Sequence, residues 1–216
     1  MFSKHKLSLV VAEFMGTAML ASAVLVVGNL FALGTAAWYG ALTAGVALSL
    51  IVSVFGHVSG AHVNPAVTIG LWTLKKIETT TAIVYVAAQM LGGASALLFF
   101  NYASGESLAA VGSSSFSWVI FWVETVGAAL FGMGIASVIS QKIEGYQAAI
   151  TIGMSLTFGS LIASTASAGF LNPAVALANN SWDRTLALAP VLGMVIGMNI
   201  YVALIAPVQS TKKTKK

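Results

Sequence analysis

The chain has 216 residues, of which 58% are hydrophobic and only 7% are charged, and its formal net charge is +4. A composition this apolar excludes a soluble domain covered by ionised side chains and predicts an integral membrane protein. The basic residues cluster at the ends of apolar segments without interleaved aromatic residues, so the lipid bilayer, and no nucleic acid, is the predicted partner. Cysteine is absent and the three histidines lack partners at metal-ligand spacing, so neither a metal site nor another cofactor is predicted.

The apolar segments predict six membrane-spanning helices and hence an all-α membrane protein. The helices are predicted at residues 7–31, 38–55, 79–102, 118–140, 146–164 and 184–207. A stretch rich in Gly and Ser, residues 103–117, is predicted to be the longest loop. In this topology all Lys and Arg residues except Arg184 lie on one side, which predicts cytoplasmic termini and a basic cytoplasmic tail, residues 208–216. The whole chain, residues 1–216, is predicted to form one domain in the plasma membrane.

Two Asn-Pro-Ala motifs interrupt the apolar pattern, one at Asn64, Pro65 and Ala66 and the other at Asn172, Pro173 and Ala174. In each motif Asn suits a helix N-cap and Pro suits the first helical position. The motifs therefore predict two short half-helices, at residues 65–74 and 173–180. The first would be ~15 Å long, about half of a ~30 Å hydrocarbon layer, so it can enter the bilayer without crossing it.

The chain also repeats itself. Glu13, followed by Gly16, precedes the first motif much as Glu124, followed by Gly127, precedes the second. The two repeats, residues 7–102 and 118–207, contain three spans each, so the second enters the membrane inverted relative to the first. The half-helices are therefore predicted to enter from opposite faces and to meet near the membrane midplane.

The meeting of two helix N-termini predicts a pore. Asn64 and Asn172 would cap the half-helices and keep amide N–H groups free for a passing solute, while the positive ends of the helix dipoles repel cations. Irregular backbone at this depth is tolerated only where it lines a water-filled cavity. The predicted pore-lining carbonyls belong to Gly60, Ala61, His62, Val63, Ala168, Phe170 and Leu171.

Other residues have more than one interpretation. Glu13 and Glu124 lie inside apolar spans, where they either accept N–H bonds from the neighbouring loops or serve as the coupling site of an ion-coupled secondary transporter. The matched positions of these residues in the two repeats favour the structural role. His57 and His62 are interpreted as packing residues, with a pH gate as the alternative. A third possibility is a structural protein that has the fold without conducting, whereas an enzyme is not predicted because no nucleophile and base lie near the pore.

With the paired motifs, the Glu-x-x-Gly repeats and the segment from Gly56 to Gly60, the chain resembles the aquaporin or major intrinsic protein family along nearly its whole length. The resemblance implies six helices with two re-entrant half-helices, a homotetramer with one pore per subunit, and passive conduction of water or small neutral solutes.

The resemblance also implies a four-residue selectivity filter. Carried over by spacing from the two motif asparagines, its positions fall on Ala44, Ser160, Gly169 and Val175. Water-selective members resemble one another in having an aromatic residue, a His and an Arg at these positions, and this chain has none of the three. The expectation is a wide filter that passes water together with ammonia, urea, glycerol or metalloid hydroxides, and that excludes cations mainly through the helix dipoles.

Overall fold

The computed structural model describes residues 4–30, 33–105, 107–108 and 116–207, and all regular structure in these ranges is helical. Six long helices are apolar enough to cross a membrane. They are α1 (Lys4–Leu30), α2 (Leu33–Ser59), α4 (Thr79–Ser104), α5 (Trp118–Gln141), α6 (Gly145–Ala163) and α8 (Arg184–Ile200). Two short helices, α3 (Pro65–Thr73) and α7 (Pro173–Ala178), begin at the prolines of the two motifs. The predicted all-α architecture of six spans and two half-helices is confirmed.

Several helix ends differ from the sequence prediction, and three of them have a structural explanation. Helix α2 extends past residue 55 because the Gly60 N–H still bonds the Gly56 carbonyl at 3.0 Å, and it ends where Gly60 turns to a φ of 89°. Helix α7 is shorter than predicted because Asn180 adopts a φ of 49° and the Ser181 N–H folds back to the Ala176 carbonyl at 2.9 Å. Helix α8 gives way to a single π-helical turn, Tyr201–Ile205. Most of the predicted long loop and the basic tail lie outside the described residues.

The helix contacts repeat between the two halves of the chain. Helix α1 packs against α2 and α4, and helix α5 packs in the same way against α6 and α8, while α2 and α6 join the halves. Each half-helix packs against the last long helix of the other half, α3 against α8 and α7 against α4. This exchange brings the two Asn-Pro-Ala motifs together.

Small residues allow the long helices to approach closely. A Cβ atom added to Gly193 on α8 would lie 2.1 Å from the Thr125 carbonyl oxygen of α5. The corresponding position in the first half is Gly92 on α4, where an added Cβ would lie 2.5 Å from the Phe14 carbonyl oxygen of α1. Backbone-to-backbone packing of this kind is typical of helices in membranes. The hydrophobic effect does not drive helices together in lipid, so close van der Waals contact between small residues stabilises their association.

The bundle has an apolar exterior and buried carboxylates, the reverse of the usual arrangement in a soluble protein. Large apolar side chains such as Leu91, Leu98 and Phe158 are at least 60% exposed on the outer surface, which suits a lipid environment. Glu13 and Glu124 are instead completely buried. In the described part of the chain, the two buried carboxylates therefore lie inside the bundle, shielded from lipid.

Candidate pore

The two motif asparagines cap the half-helices. The Asn64 Oδ1 atom accepts a hydrogen bond from the Ala66 N–H at 2.8 Å. The Asn172 Oδ1 atom accepts from the Ala174 N–H at 2.9 Å and from the Val175 N–H at 3.4 Å. Proline supplies the first helical residue of each half-helix, where its missing N–H costs no hydrogen bond.

The same two side chains tie the halves of the chain together. Nδ2 of Asn64 donates to the Leu171 carbonyl at 2.9 Å, and Nδ2 of Asn172 donates to the Val63 carbonyl at 3.0 Å. Because an amide group has two N–H bonds, each Asn spends one on the opposite loop and keeps one for another acceptor. Only one N–H of each asparagine is therefore available to a solute, because the other bonds the opposite loop.

The loops that precede the motifs have a strained backbone. Val63 and Leu171, each directly before a motif asparagine, have φ values of 42° and 51°. Positive φ in a residue other than glycine costs on the order of 1–3 kcal/mol, and a β-branched residue such as Val63 is a clear outlier. The surrounding structure has to stabilise this conformation.

Glu13 holds the first loop. Its Oε1 atom accepts from the Ser59 hydroxyl at 2.6 Å and from the His62 N–H at 3.0 Å. Its Oε2 atom accepts from the Val63 N–H and from Nε2 of Gln89, both at 2.7 Å. Both oxygens of the buried carboxylate are thus saturated with donors, two of them backbone N–H groups of the strained loop.

Glu124 holds the second loop in the same way. Its Oε1 atom accepts from the Ser167 hydroxyl and from the Phe170 N–H, the latter at 3.1 Å, and its Oε2 atom accepts from the Leu171 N–H at 2.9 Å. The two halves differ at one point, because the bond from Gln89 to Glu13 has no counterpart among the described residues around Glu124. Counted from the packing glycines Gly92 and Gly193, the position of Gln89 is taken in the second half by Pro190, which has no amide side chain.

Two cavities lie beside the meeting point of the motifs. One, here called the small cavity, has a volume of about 40 Å³, enough for a few water molecules. Its wall contains both motif asparagines and all four predicted filter residues, Ala44, Ser160, Gly169 and Val175. The structure thus brings together residues from α2, α6 and both loops that are far apart in the sequence.

The other, here called the large cavity, has a volume of about 740 Å³. It is lined by Gly60 and Ala61 of the first loop and by the ionisable residues His57, Lys76 and Glu144. It extends from the loop to the end of the bundle at which α3, α5 and α6 have their connections.

The predicted pore-lining carbonyl residues divide between the two cavities. Val63, Ala168 and Phe170 line the small cavity, whereas His62 lines both. Leu171 differs from the prediction, since it lines neither cavity. The carbonyls of both Leu171 and Val63 accept from the asparagine of the opposite half. These bonds across the two halves occupy two of the carbonyls that were predicted to line the pore.

Among the large apolar residues of the cavity walls that were not predicted, two are common to both cavities. Leu48 on α2 and Phe131 on α5 line both cavities. Helical periodicity could have found them, because Leu48 lies one turn beyond Ala44 and Phe131 lies two turns beyond Glu124 on the same helix face.

One polar group in the small cavity has no protein partner. The Ser160 hydroxyl is the single buried side-chain oxygen or nitrogen, among the residues that the structure describes, without a hydrogen bond. Ser160 is only 2% exposed and lines the small cavity. A buried hydroxyl normally has a partner, so this group is available to a molecule inside the cavity.

Comparison with known proteins agrees with this arrangement. The family model described as Major intrinsic protein matches residues 1–208. Glycerol uptake facilitator protein-like 6 of Lactiplantibacillus plantarum is 35% identical over 176 residues, which cover 76% of this chain and 78% of the relative. Aquaporin AqpM of Methanothermobacter thermautotrophicus is 31% identical over 183 residues, which cover 74% of each protein.

A solved structure shares the fold. The aquaglyceroporin from Plasmodium falciparum superposes with a TM-score of 0.74 at 22% sequence identity, covering 94% of this chain and 98% of that protein. Together with the match of the family model over residues 1–208 and the two capped half-helices, these similarities establish that the chain belongs to the major intrinsic protein family.

Proposed function

We propose that this protein is a passive channel that conducts water and small neutral solutes across a membrane. The observation that supports it most directly is the small cavity, in which both motif asparagines and the four filter residues share one wall. The matching family and its named members, a glycerol uptake facilitator and aquaporins, support the same function. A passive channel of this family is not an enzyme.

The small cavity provides hydrogen bonds without ionised groups. Its polar side-chain groups are the remaining N–H of each motif asparagine, the unpartnered Ser160 hydroxyl and the His62 imidazole. The other filter side chains are small and apolar. A neutral molecule can exchange its water partners for these groups, whereas a cation meets two helix N-termini and no carboxylate. The proposed solutes are therefore water together with glycerol, urea, ammonia or metalloid hydroxides.

The competing transporter mechanism finds no support in the carboxylates. Four donors surround Glu13 and three surround Glu124, and all of them come from the loops or from neighbouring helices. A carboxylate occupied in this way stabilises the loop and is not poised to exchange a proton with a solute. An ion-coupled mechanism is therefore not favoured.

The proposal extends to assembly and location. We expect a homotetramer with one pore per subunit in the plasma membrane, with both termini and the large cavity on the cytoplasmic side. The family supports the tetramer, and the clustering of basic residues at one end of the bundle supports the orientation.

Blocking the small cavity tests the proposed function. Ala44 lines that cavity, so Ala44→Trp should fill it and reduce the water permeability of proteoliposomes to nearly that of empty liposomes. Ala87 is exposed on the surface of α4, so Ala87→Trp adds the same side chain on the outer surface and should leave permeability unchanged. Stopped-flow light scattering measures both rates, and equal permeability of the two variants would contradict the assignment of the pore.

A further inference from the structure

The junction between the two cavities is formed by larger side chains than the filter. Leu48, His62 and Phe131 are the residues common to both walls, so these three side chains lie where the two cavities adjoin. Leu48 and Phe131 are each 2% exposed and come from the helices α2 and α5. The filter, by contrast, consists of Ala, Ser, Gly and Val.

The imidazole of His62 is held by neighbours on two sides. Its ring packs edge-on against Tyr85, with 5.3 Å between ring centroids, and the Tyr85 hydroxyl is anchored to the Ser59 carbonyl at 3.0 Å. Its Nδ1 atom lies 3.1 Å from the Thr68 hydroxyl. The ring therefore has one orientation in the junction.

A chain of hydrogen bonds decides which ring nitrogen carries the proton. Nε2 of Gln89 donates to Glu13 at 2.7 Å and to the Thr68 hydroxyl at 2.9 Å, which uses both amide hydrogens. The Thr68 hydroxyl hydrogen can then go to Nδ1 of His62, or to Oε1 of Gln89 at 3.3 Å. The second contact is longer and poorly directed, because the same amide already donates to that hydroxyl.

When Nδ1 accepts the hydrogen bond from the Thr68 hydroxyl, Nδ1 is unprotonated, and the neutral imidazole carries its proton on Nε2. Nε2 lies beside Gly60, where an added Cβ would be 3.2 Å away, and Gly60 lines the large cavity. Nε2 has no hydrogen-bond partner among the residues that the structure describes. Its N–H is therefore presented to the passage between two apolar walls.

We infer that solutes are selected mainly at this junction, where Leu48 and Phe131 set the width and the Nε2–H of His62 acts as a fixed hydrogen-bond donor. The inference rests on the proposed channel function and locates its selectivity away from the four filter residues. The junction favours small neutral solutes with a compact oxygen or nitrogen acceptor, such as water and ammonia, over bulkier polyols. Thr68, Gln89 and Glu13 are positioning residues, because they act through the imidazole.

Widening the junction tests the inference. In proteoliposomes His62→Ala and Leu48→Ala should each raise the ratio of glycerol to water permeability by about tenfold, the scale on which pocket walls discriminate solutes. Val175→Ala, which widens the filter, should change this ratio by less than about twofold if the junction is the limiting site. The inference is overturned if Val175→Ala changes the ratio as much as the junction variants do, or if neither junction variant changes it.

This experiment distinguishes failure of the channel from failure of the junction. Wild-type protein that conducts no better than empty liposomes would refute the proposed channel itself, whereas conduction with an unchanged ratio in both junction variants refutes only the junction. Leu48→Ala leaves the hydrogen-bond chain intact, so it remains informative if His62→Ala does not fold.

The orientation of His62 has its own spectroscopic test. In protein with His5 and His57 replaced by Gln, the ring ¹⁵N signals should show a neutral imidazole protonated on Nε2. Thr68→Val removes the hydroxyl that fixes this tautomer and should shift the signals toward a mixture, together with a fall in water permeability. Thr68 is completely buried and lines neither cavity, so a role in packing alone would leave the imidazole protonated on Nε2.

Discussion

At the scale of single residues, the buried carboxylates compensate for backbone strain in the loops. Val63 and Leu171 hold positive φ values directly before the two asparagines, and each donates its N–H to the Glu of its own half. The acid therefore fixes the carbonyl of the same residue in the position where the opposite asparagine binds it.

Removing one acceptor from this arrangement should destabilise the protein. In Glu124→Gln an NH₂ group replaces an oxygen that faces N–H or O–H donors, and the unsatisfied contacts should cost about 1–3 kcal/mol. Glu144→Gln is the matched control, because Glu144 is exposed and makes no capping hydrogen bond with its side chain. Thermal unfolding in detergent measures both, and an equal Tm for the two variants would contradict the structural role of Glu124.

The filter assignment makes a separate prediction at Val175. Val175→Arg places a guanidinium in a cavity of about 40 Å³ and should reduce glycerol and urea flux more than water flux. It should also lower proton permeability, because the fixed positive charge adds to the helix dipoles. Val175→Leu adds volume without charge and controls for crowding. Unchanged solute and proton permeability in Val175→Arg would show that Val175 is not part of the filter.

Residue positions were predictable from the sequence where the signal is local or repeated. Asn followed by Pro is a helix start, and the pairing of Glu13 with Glu124 indicates equivalent surroundings in the two halves. The bonds from each asparagine to the opposite loop were not predictable, because they join residues more than 100 positions apart along the chain. The link from Gln89 to His62 also depends on how α4 packs, which no local pattern encodes.

At the scale of secondary-structure elements, the close helix crossings depend on the absence of a Cβ. Gly193→Ala would place a methyl group 2.1 Å from the Thr125 carbonyl oxygen, so α5 and α8 would have to separate. Overpacking of this kind costs about 1–3 kcal/mol.

The matched control for this prediction is Gly28→Ala in α1, where the nearest atom to the added Cβ is 3.9 Å away. Alanine is a better helix former than glycine, so Gly28→Ala should be neutral or slightly stabilising. Denaturant or thermal unfolding compares the two variants. If Gly193→Ala is as stable as Gly28→Ala, the close packing of α5 and α8 does not limit stability.

The number and type of the helices were predictable because a run of about 20 apolar residues has few stable structures other than a membrane-spanning helix. The ends were less predictable, since glycine signals a helix end only when its φ changes. Gly56 remains helical in α2, whereas Gly60 leaves the helix with a φ of 89°. The π-helical turn after Ile200 has no sequence signal that distinguishes it from a continuing α-helix.

At the scale of the whole molecule, the two halves form one site because each half-helix packs on the other half. This exchange requires opposite orientations in the membrane, which an odd number of spans per half provides. The proposed orientation also places the ends of the molecule on defined sides.

The natural absence of cysteine makes this orientation measurable. Lys76→Cys and Arg184→Cys introduce single thiols at exposed positions near opposite ends of the bundle. In intact cells a membrane-impermeant maleimide should label Arg184→Cys and spare Lys76→Cys until the membrane is permeabilised. The reverse pattern would contradict the assignment of the large cavity and the termini to the cytoplasm.

Passive conduction distinguishes a channel from a coupled transporter, and the dependence of solute flux on concentration and ion gradients measures it. Purified protein in liposomes should pass glycerol and urea at rates that rise linearly with concentration and do not change when a proton or sodium gradient is imposed. Glu13→Gln protein that still folds should keep this linear behaviour. Saturable uptake that requires an ion gradient and is lost in Glu13→Gln would contradict the channel and establish a coupled transporter.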